Sequence, residues 1–181
     1  MINILKMDYN KVSKLMMQLA LLMILCGFGS LTVLGQTAIE KYTVDGDGIL
    51  DFASGTSKGI ILPAVEILPA VPANGTFVYH KNDQKVKMFE NGVWVNLSDV
   101  GDNTAILPYN GTATSKQTII GATSTAAAGA LVLESTSKAL ILPKVASPHL
   151  NVPSPYPGMM CYDTDAKALA VFDGAVWNYW K

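Results

Sequence analysis

The chain has 181 residues, half of them hydrophobic, with 13 lysines, 14 acidic residues and no arginine. A formal net charge of −1 and the lack of forked guanidinium donors count against nucleic-acid and phosphate recognition. Among two cysteines and two histidines no paired-cysteine metal site can be drawn.

At the N-terminus Lys6, Lys11 and Lys14 precede a nearly uninterrupted apolar run, Leu15–Phe28. Small and turn-forming residues follow, down to Val33-Leu34-Gly35-Gln36. A basic start, an apolar middle and a small residue at the cut predict a secretory signal peptide over residues 1–35, leaving Gln36 first. The competing reading is a retained membrane anchor, because Leu15–Leu34 is just long enough to reach across a bilayer. Gly27, Gly29, Ser30 and Thr32 weaken its second half. A lipoprotein anchor at Cys26 is disfavoured by Leu25, which stands where a small residue is wanted. Export to the cell surface or beyond is the expectation. Residues 36–181 then hold ten lysines and thirteen acids, a net charge of −3, and Cys161 alone, so no intrachain disulfide holds the fold. A leftover cysteine in an exported chain is either a buried apolar residue or a thiol that pairs between chains.

The rest of the chain states one pattern twice, as a duplicated structural unit does. The first copy runs Gly48-Ile49-Leu50-Asp51-Phe52, Thr56-Ser57-Lys58-Gly59-Ile60-Ile61-Leu62-Pro63, Gly75-x-x-x-Tyr79 and Phe89-Glu90-Asn91-Gly92-Val93-Trp94. The second runs Gly129-Ala130-Leu131-Val132-Leu133, Thr136-Ser137-Lys138-Ala139-Leu140-Ile141-Leu142-Pro143, Gly158-x-x-x-Tyr162 and Phe172-Asp173-Gly174-Ala175-Val176-Trp177. Within each copy the hydrophobic period is two, as in Lys85-Val86-Lys87-Met88, and β-branched and aromatic residues are concentrated there. Turn clusters fall at Lys81–Gln84, Asn91-Gly92, Asp163–Ala166 and Asp173-Gly174. Each copy therefore reads as a three-stranded antiparallel meander, preceded by a short strand that ends at Leu62-Pro63 or Leu142-Pro143. Proline-studded loops join strand to meander, with Pro69 and Pro72 in the first and Pro148, Pro153, Pro155 and Pro157 in the second; helix is not expected in them.

The predicted fold class is mostly β: two tandem three-stranded meander modules with proline-rich loops, preceded by an N-terminal signal helix. Residues 36–99 form the first repeat and residues 129–181 the second. Residues 100–128, rich in Gly, Ala and Thr, read as a linker or stalk with one or two short strands at Ile106-Leu107 and Thr118–Ile120. One copy of about fifty residues is close to the size at which a lone core is marginal. Its apolar face must be covered by the other copy, by the loops or by another chain, so self-association, as a trimer in a fibre-like protein, is expected.

Ser-Lys-Gly-Ile-Ile-Leu-Pro, Gly-x-x-x-Tyr and Phe-Asp-Gly-x-x-Trp together resemble a module of exported Bacteroidota proteins, and Ile120-Gly121-Ala122-Thr123 before the second copy is similar to its lead-in. The resemblance covers about two thirds of residues 36–181 and implies surface, tail-fibre-like or adhesin-like proteins. Ala64 and Lys144 stand where that module has arginine after the proline, and Ala139 replaces the glycine found at Gly59.

No constellation for catalysis is visible: His80 and His149 lie away from any nucleophile motif, and the chain reads as non-enzymatic with no cofactor. Asp45-Gly46-Asp47-Gly48 has the spacing of calcium-binding carboxylates, but Ile49 interrupts the loop, and a solvated turn is the simpler reading. The aromatics are the best candidates for ligand contact. Trp94 and Trp177 recur at matching places, which favours packing over their own sheets; Tyr179 and Trp180 lie at the C-terminal end, and Trp180 falls outside the shared pattern. A structural or adhesive surface protein is the expected function; the alternative is a small carbohydrate-binding module using Trp180, Tyr179, Trp177 and Trp94. The expected partners are further copies of the chain and an extracellular glycan or protein, with membrane contact only if the N-terminal segment is retained.

Overall fold

A computed structural model describes residues 9–27, 35–108 and 117–181. It divides into two units, residues 1–34 and 35–181. In the first, α1 (Tyr9–Gly27) is rich in Leu and Met, which are not branched at Cβ and lose little rotamer freedom in a helix. Leu15, Met16 and Met17 are exposed along it. Among the described residues no helix is long and apolar enough to cross a membrane. Residues 28–34, which carry the approach to the expected cleavage site, lie outside the described residues.

The second unit is mostly β, as expected. Its first half contains β1 (Thr37–Ile39), β2 (Gly48–Phe52), β3 (Ile60–Ile61), β4 (Ala64–Val65), β5 (Thr76–His80), β6 (Lys85–Glu90) and β7 (Val93–Asn96). Its second half contains β8 (Thr118–Ile120), β9 (Leu131–Leu133), β10 (Ala139–Leu140), β11 (Lys144–Val145), the short helix α2 (Pro148–Asn151), β12 (Met159–Asp163), β13 (Ala168–Phe172) and β14 (Trp177–Trp180). β5, β6 and β7 are antiparallel neighbours, with Tyr79 opposite Val86 and Phe89 opposite Trp94. β12, β13 and β14 pair in the same manner, with Cys161 opposite Ala170 and Phe172 opposite Trp177. The lead-in strands are parallel pairs, β1 with β2 and β8 with β9.

The short strands β3 and β10 end before Pro63 and Pro143, but strand structure does not end there. The chain resumes beyond Pro63 and Pro143 as β4 and β11, each parallel to the first strand of its meander. The proline carbonyls are used: Tyr79 N donates to Pro63 O and Tyr162 N to Pro143 O, both at 2.9 Å. Only the amide donor is missing from proline, so an acceptor-only position in a ladder suits it. The second proline loop also holds α2, where helix was not expected. Pro148 sits in the first turn, where its absent N–H has no intrahelical partner to lose.

The two halves are interlocked by strand exchange. β3 of the first pairs antiparallel with β12 of the second, and β10 of the second pairs parallel with β2 of the first. One core follows from this. Leu62, Tyr79, Val86 and Leu97 pack with Met160 and Val171 across the two halves. A second cluster, Val145, Val152, Met159, Cys161, Ala170 and Phe172, lies within the second half. Burying a side chain of this size contributes about 1.5–3 kcal/mol, so a core shared between copies offsets the small size of either one. The alternation read in Lys85–Met88 is only half realised. Val86 is buried in the shared core, but Lys87 is buried too, its ammonium held by Asp83 at 2.5 Å and by Asn96 at 3.0 Å.

Candidate functional site

The two copies close their last hairpin differently, and that difference builds the junction between them. In the first, Glu90 pairs with Val93 across Asn91-Gly92, whose φ values of 48° and 82° give the tight turn that matches strand twist. In the second, pairing stops at Phe172–Trp177, and the expected strand start at Val176 moves to Trp177. Asp173, fully buried, holds the wider loop. Its Oδ1 accepts from the amides of Ala175 and Val176, both at 2.8 Å, and its Oδ2 accepts from Asn178 Nδ2 at 2.7 Å.

Into that loop runs the segment after β7. Asp102 N donates to Asp173 O at 3.0 Å, Gly101 N donates to Gln84 O at 2.8 Å, and Asn103 Nδ2 donates to Lys81 O at 2.8 Å. Tyr79 Oη, buried, donates to the same Asp173 carbonyl at 3.0 Å. Burial, with the charges of Asp173 and Asp102 behind it, pushes the Tyr79 phenol up to about 12, which keeps it a donor. Residues 101–103, expected in a loose connection, are therefore fastened to both halves. Of the two short strands expected between the copies, Thr118–Ile120 forms β8; Ile106-Leu107 forms none, and Ile106 packs on the shared core. Ala126 and Ala127 form a bend.

The aromatic candidates divide between the faces of β14. Trp177 and Tyr179 line an open cleft of about 920 Å³ with His149, Asp165 and the Pro153–Pro155 loop. Trp177 packs on Phe172, with ring centroids 5.4 Å apart, and Tyr179 Oη is 3.2 Å from His149 Nδ1. Trp180 turns the other way. Its Nε1 donates to Leu97 O at 2.6 Å, tying the end of the second copy to the first, and the residue remains 43% exposed. Trp94 lies on the first copy, edge-on to Phe89 at 5.3 Å. The structure thus brings Trp177 and Tyr179 together in the cleft, whereas Trp180 lines a second, smaller hollow with Lys85, Asn96 and Tyr179.

At the base of the cleft Asp163 is buried. Burial raises its carboxyl, but the amides of Ala166, Asp165 and Ser147 outweigh it and hold the group below the usual carboxylate range. Cys161 is buried beside it, and burial with the Asp163 charge pushes its thiol up to about 12. Asp45 faces Lys41 at 2.9 Å, and the same ammonium reaches buried Asp51 at 2.5 Å. Among the described residues no group of His, Cys, Asp and Glu is placed to hold a metal ion. His80, set 2.9 Å from Asp83, and His149 lie on different halves of the unit.

Residues 119–181 match the family model of a phage tail-like trimerisation region. No curated protein and no solved structure matches the chain. The match begins at the second residue of β8 and runs through the rest of the second half to residue 181. The sequence reading marked Asp173-Gly174 as a turn but missed its contact with Gly101 and Asp102. The matching pairs, Asn91-Gly92 and Gly174-Ala175, both suit two-residue hairpin turns, so the wider second loop left no local signal.

Proposed function

We propose that the chain is an exported structural subunit of a trimeric, fibre-like assembly at the cell surface or outside it, with no catalytic activity of its own. The observation that carries this reading is the match of residues 119–181 to a phage tail-like trimerisation region. The fold is compatible with it. Short strands bury one shared core and leave strand edges at both ends of the interlocked pair, an arrangement suited to association with further copies. An adhesive role follows from display in threes, since linked copies raise the effective concentration of weak contacts.

Light scattering coupled to size-exclusion chromatography of the secreted chain, in reducing buffer, tests the reading. Three chain masses are expected, and an N-terminus at Gln36 by mass spectrometry. A monomer at all concentrations would overturn the assembly, and an intact N-terminus in a membrane fraction would overturn release in favour of an anchor. A second reading, glycan binding, draws on the cleft that holds Trp177 and Tyr179. Sugars stack on such rings, and a glycan array on the wild type and on Tyr179→Ala tests it: binding lost in the variant supports the cleft.

A further inference from the structure

The interface between the two copies is made only once within the chain, and its two halves are left open at opposite ends. β3 of the first copy covers the edge of β12 at Met159 and Met160, while β11 covers the same edge at Tyr162 and Asp163. At the matching strand of the first copy, β4 covers β5 at Tyr79 and His80, but among the described residues no strand pairs with its outer edge at Thr76 and Phe77. The strand that matches β3 is β10, which among the described residues pairs only with β2. Likewise β2 is flanked on both sides, by β1 and β10, whereas the matching β9 has β8 as its one partner among the described residues. The fourth open edge is that of β3, which has β12 on one side and no described strand on the other.

These four edges are two complementary pairs. We propose that chains join head to tail through them. β10 of one chain pairs antiparallel with β5 of the next, and β9 of the first chain pairs parallel with β3 of the next. The registers are those already present inside the chain. Met159 opposite Ile61 and Met160 opposite Ile60 become Thr76 opposite Ile141 and Phe77 opposite Leu140. Gly48 opposite Ala139 and Leu50 opposite Leu140 become Gly129 opposite Gly59 and Leu131 opposite Ile60.

Two observations favour a second copy as the occupant. The interface is one this sequence demonstrably forms with itself. The open edges carry apolar residues where an isolated edge is normally blunted by charge: Ile61 is 54% exposed, Leu131 47% and Leu140 36%. A Cβ on Gly59 would meet Met159 Cγ at 2.6 Å and the Met160 backbone oxygen at 2.8 Å, so the internal contact requires glycine there. At the matching external contact that position is Ala139, so the two backbones must stand slightly further apart at Phe77 than they do at Met160. A head-to-tail contact is heterologous and forms a ring only if its rotation closes. Closure at three chains rests on the trimeric reading above; the pairing itself does not.

A disulfide tests it. Leu62 N donates to Gly158 O, so the neighbouring Ile61–Met159 pair is of the closer, non-hydrogen-bonded type, within reach of a disulfide. Thr76→Cys and Ile141→Cys in the full-length chain place cysteines at the matching intermolecular pair; each single variant controls for Cys26 and Cys161. Under mild oxidation the double variant is expected to give covalent dimers and trimers on a non-reducing gel, and an equimolar mixture of the single variants covalent dimers only. Each single variant alone is expected to stay monomeric on the gel. Sedimentation equilibrium on the same samples separates the two readings. A trimer that forms no cross-link overturns the pairing and leaves the trimer standing; a monomer overturns both; a cross-linked ladder beyond three chains keeps the pairing and overturns closure. Leu131→Lys, which sets a charge on an edge exposed within the chain, provides a variant that retains the internal fold. It is expected to lose the trimer while keeping the wild-type circular dichroism spectrum, and an unchanged trimer would overturn the pairing at β9.

Discussion

Replacing Gly174 by alanine isolates the interlock between the two copies. Its φ is 102°, outside the conformations L side chains adopt readily, and a Cβ there would stand 1.6 Å from Asp102 O and 2.6 Å from Asp102 C. Ordinary contact begins near 3.4 Å, so backbone must part from backbone by about 1.8 Å, and neither side is a flexible side-chain tip. That displacement is larger than the Asp102 N to Asp173 O bond can absorb, and it pulls on the Gly101 N to Gln84 O bond. Strained φ costs about 1–3 kcal/mol and each lost hydrogen bond about 0.5–1.5, so Gly174→Ala is expected to destabilise by about 3–5 kcal/mol. Gly92→Ala is the comparator. Its φ is 82°, and nothing lies within 4 Å of the Cβ position, so the substitution bears the conformational cost alone. About 1–2 kcal/mol is expected there. Urea unfolding of both variants, read as midpoints at constant slope, gives the difference. Equal losses to within about 0.5 kcal/mol would refute the interlock, because the expected excess at Gly174 comes from its contact with residues 101–102.

The carboxyl of Asp163 is depressed in the folded chain, so its stabilising contribution is complete above the unfolded value, near 3.9, and is lost as pH falls through the lower folded value. The urea midpoint is expected to drop over that acid window, and Asp163→Asn to shrink the drop; an unchanged pH profile would refute the role assigned to the three amides. The Cys161 thiol, raised to about 12, is expected to react with a disulfide reagent at pH 8 on the order of a thousandfold more slowly in the folded chain than in urea. A Cys26→Ser chain gives the rate for Cys161 alone, and comparable folded and unfolded rates would show an exposed thiol. Tyr79→Phe removes one buried donor from Asp173 O while Asp102 N still satisfies that carbonyl, so a loss of about 1 kcal/mol is expected in the same urea assay. A loss several times larger would mean that the phenol holds the halves together by more than this bond.

What the sequence made legible is what depends on neighbours along the chain. Period-two alternation at Lys85–Met88 and the turn residues at Asn91-Gly92 act over a few positions, and the predominance of strand follows from them. Partner choice is different. Ile60-Ile61 pairs with Met159-Met160, nearly a hundred residues away, and Ala139-Leu140, in an almost identical segment, pairs with β2 instead. The two segments differ at two positions, Gly59/Ala139 and Ile60/Leu140, so their partners are set by place in the chain and not by local sequence. The strands after Pro63 and Pro143 were missed because proline was read as a lost donor, when those positions need only an acceptor. For the aromatics, recurrence of Trp94 and Trp177 foretold their packing on Phe89 and Phe172, but not the face that each residue of β14 takes. That face depends on Leu97, whose carbonyl claims the Trp180 indole.

Duplication by itself cannot finish this fold. Copies that pair through complementary edges make one interface fewer than their number, so two copies in a line form one and leave its two halves exposed at the ends. A third tandem copy would move those edges further apart without covering them, and linear repeat proteins meet the same problem with polar terminal caps. Here the terminal edges carry Ile61, Leu131 and Leu140, side chains suited to continuation and not to capping. Closure between chains is the arrangement in which interfaces equal copies. Gly59→Ala should strain the internal contact, with Met159 Cγ 2.6 Å and Met160 O 2.8 Å from the new Cβ, and lower the urea midpoint of the single chain.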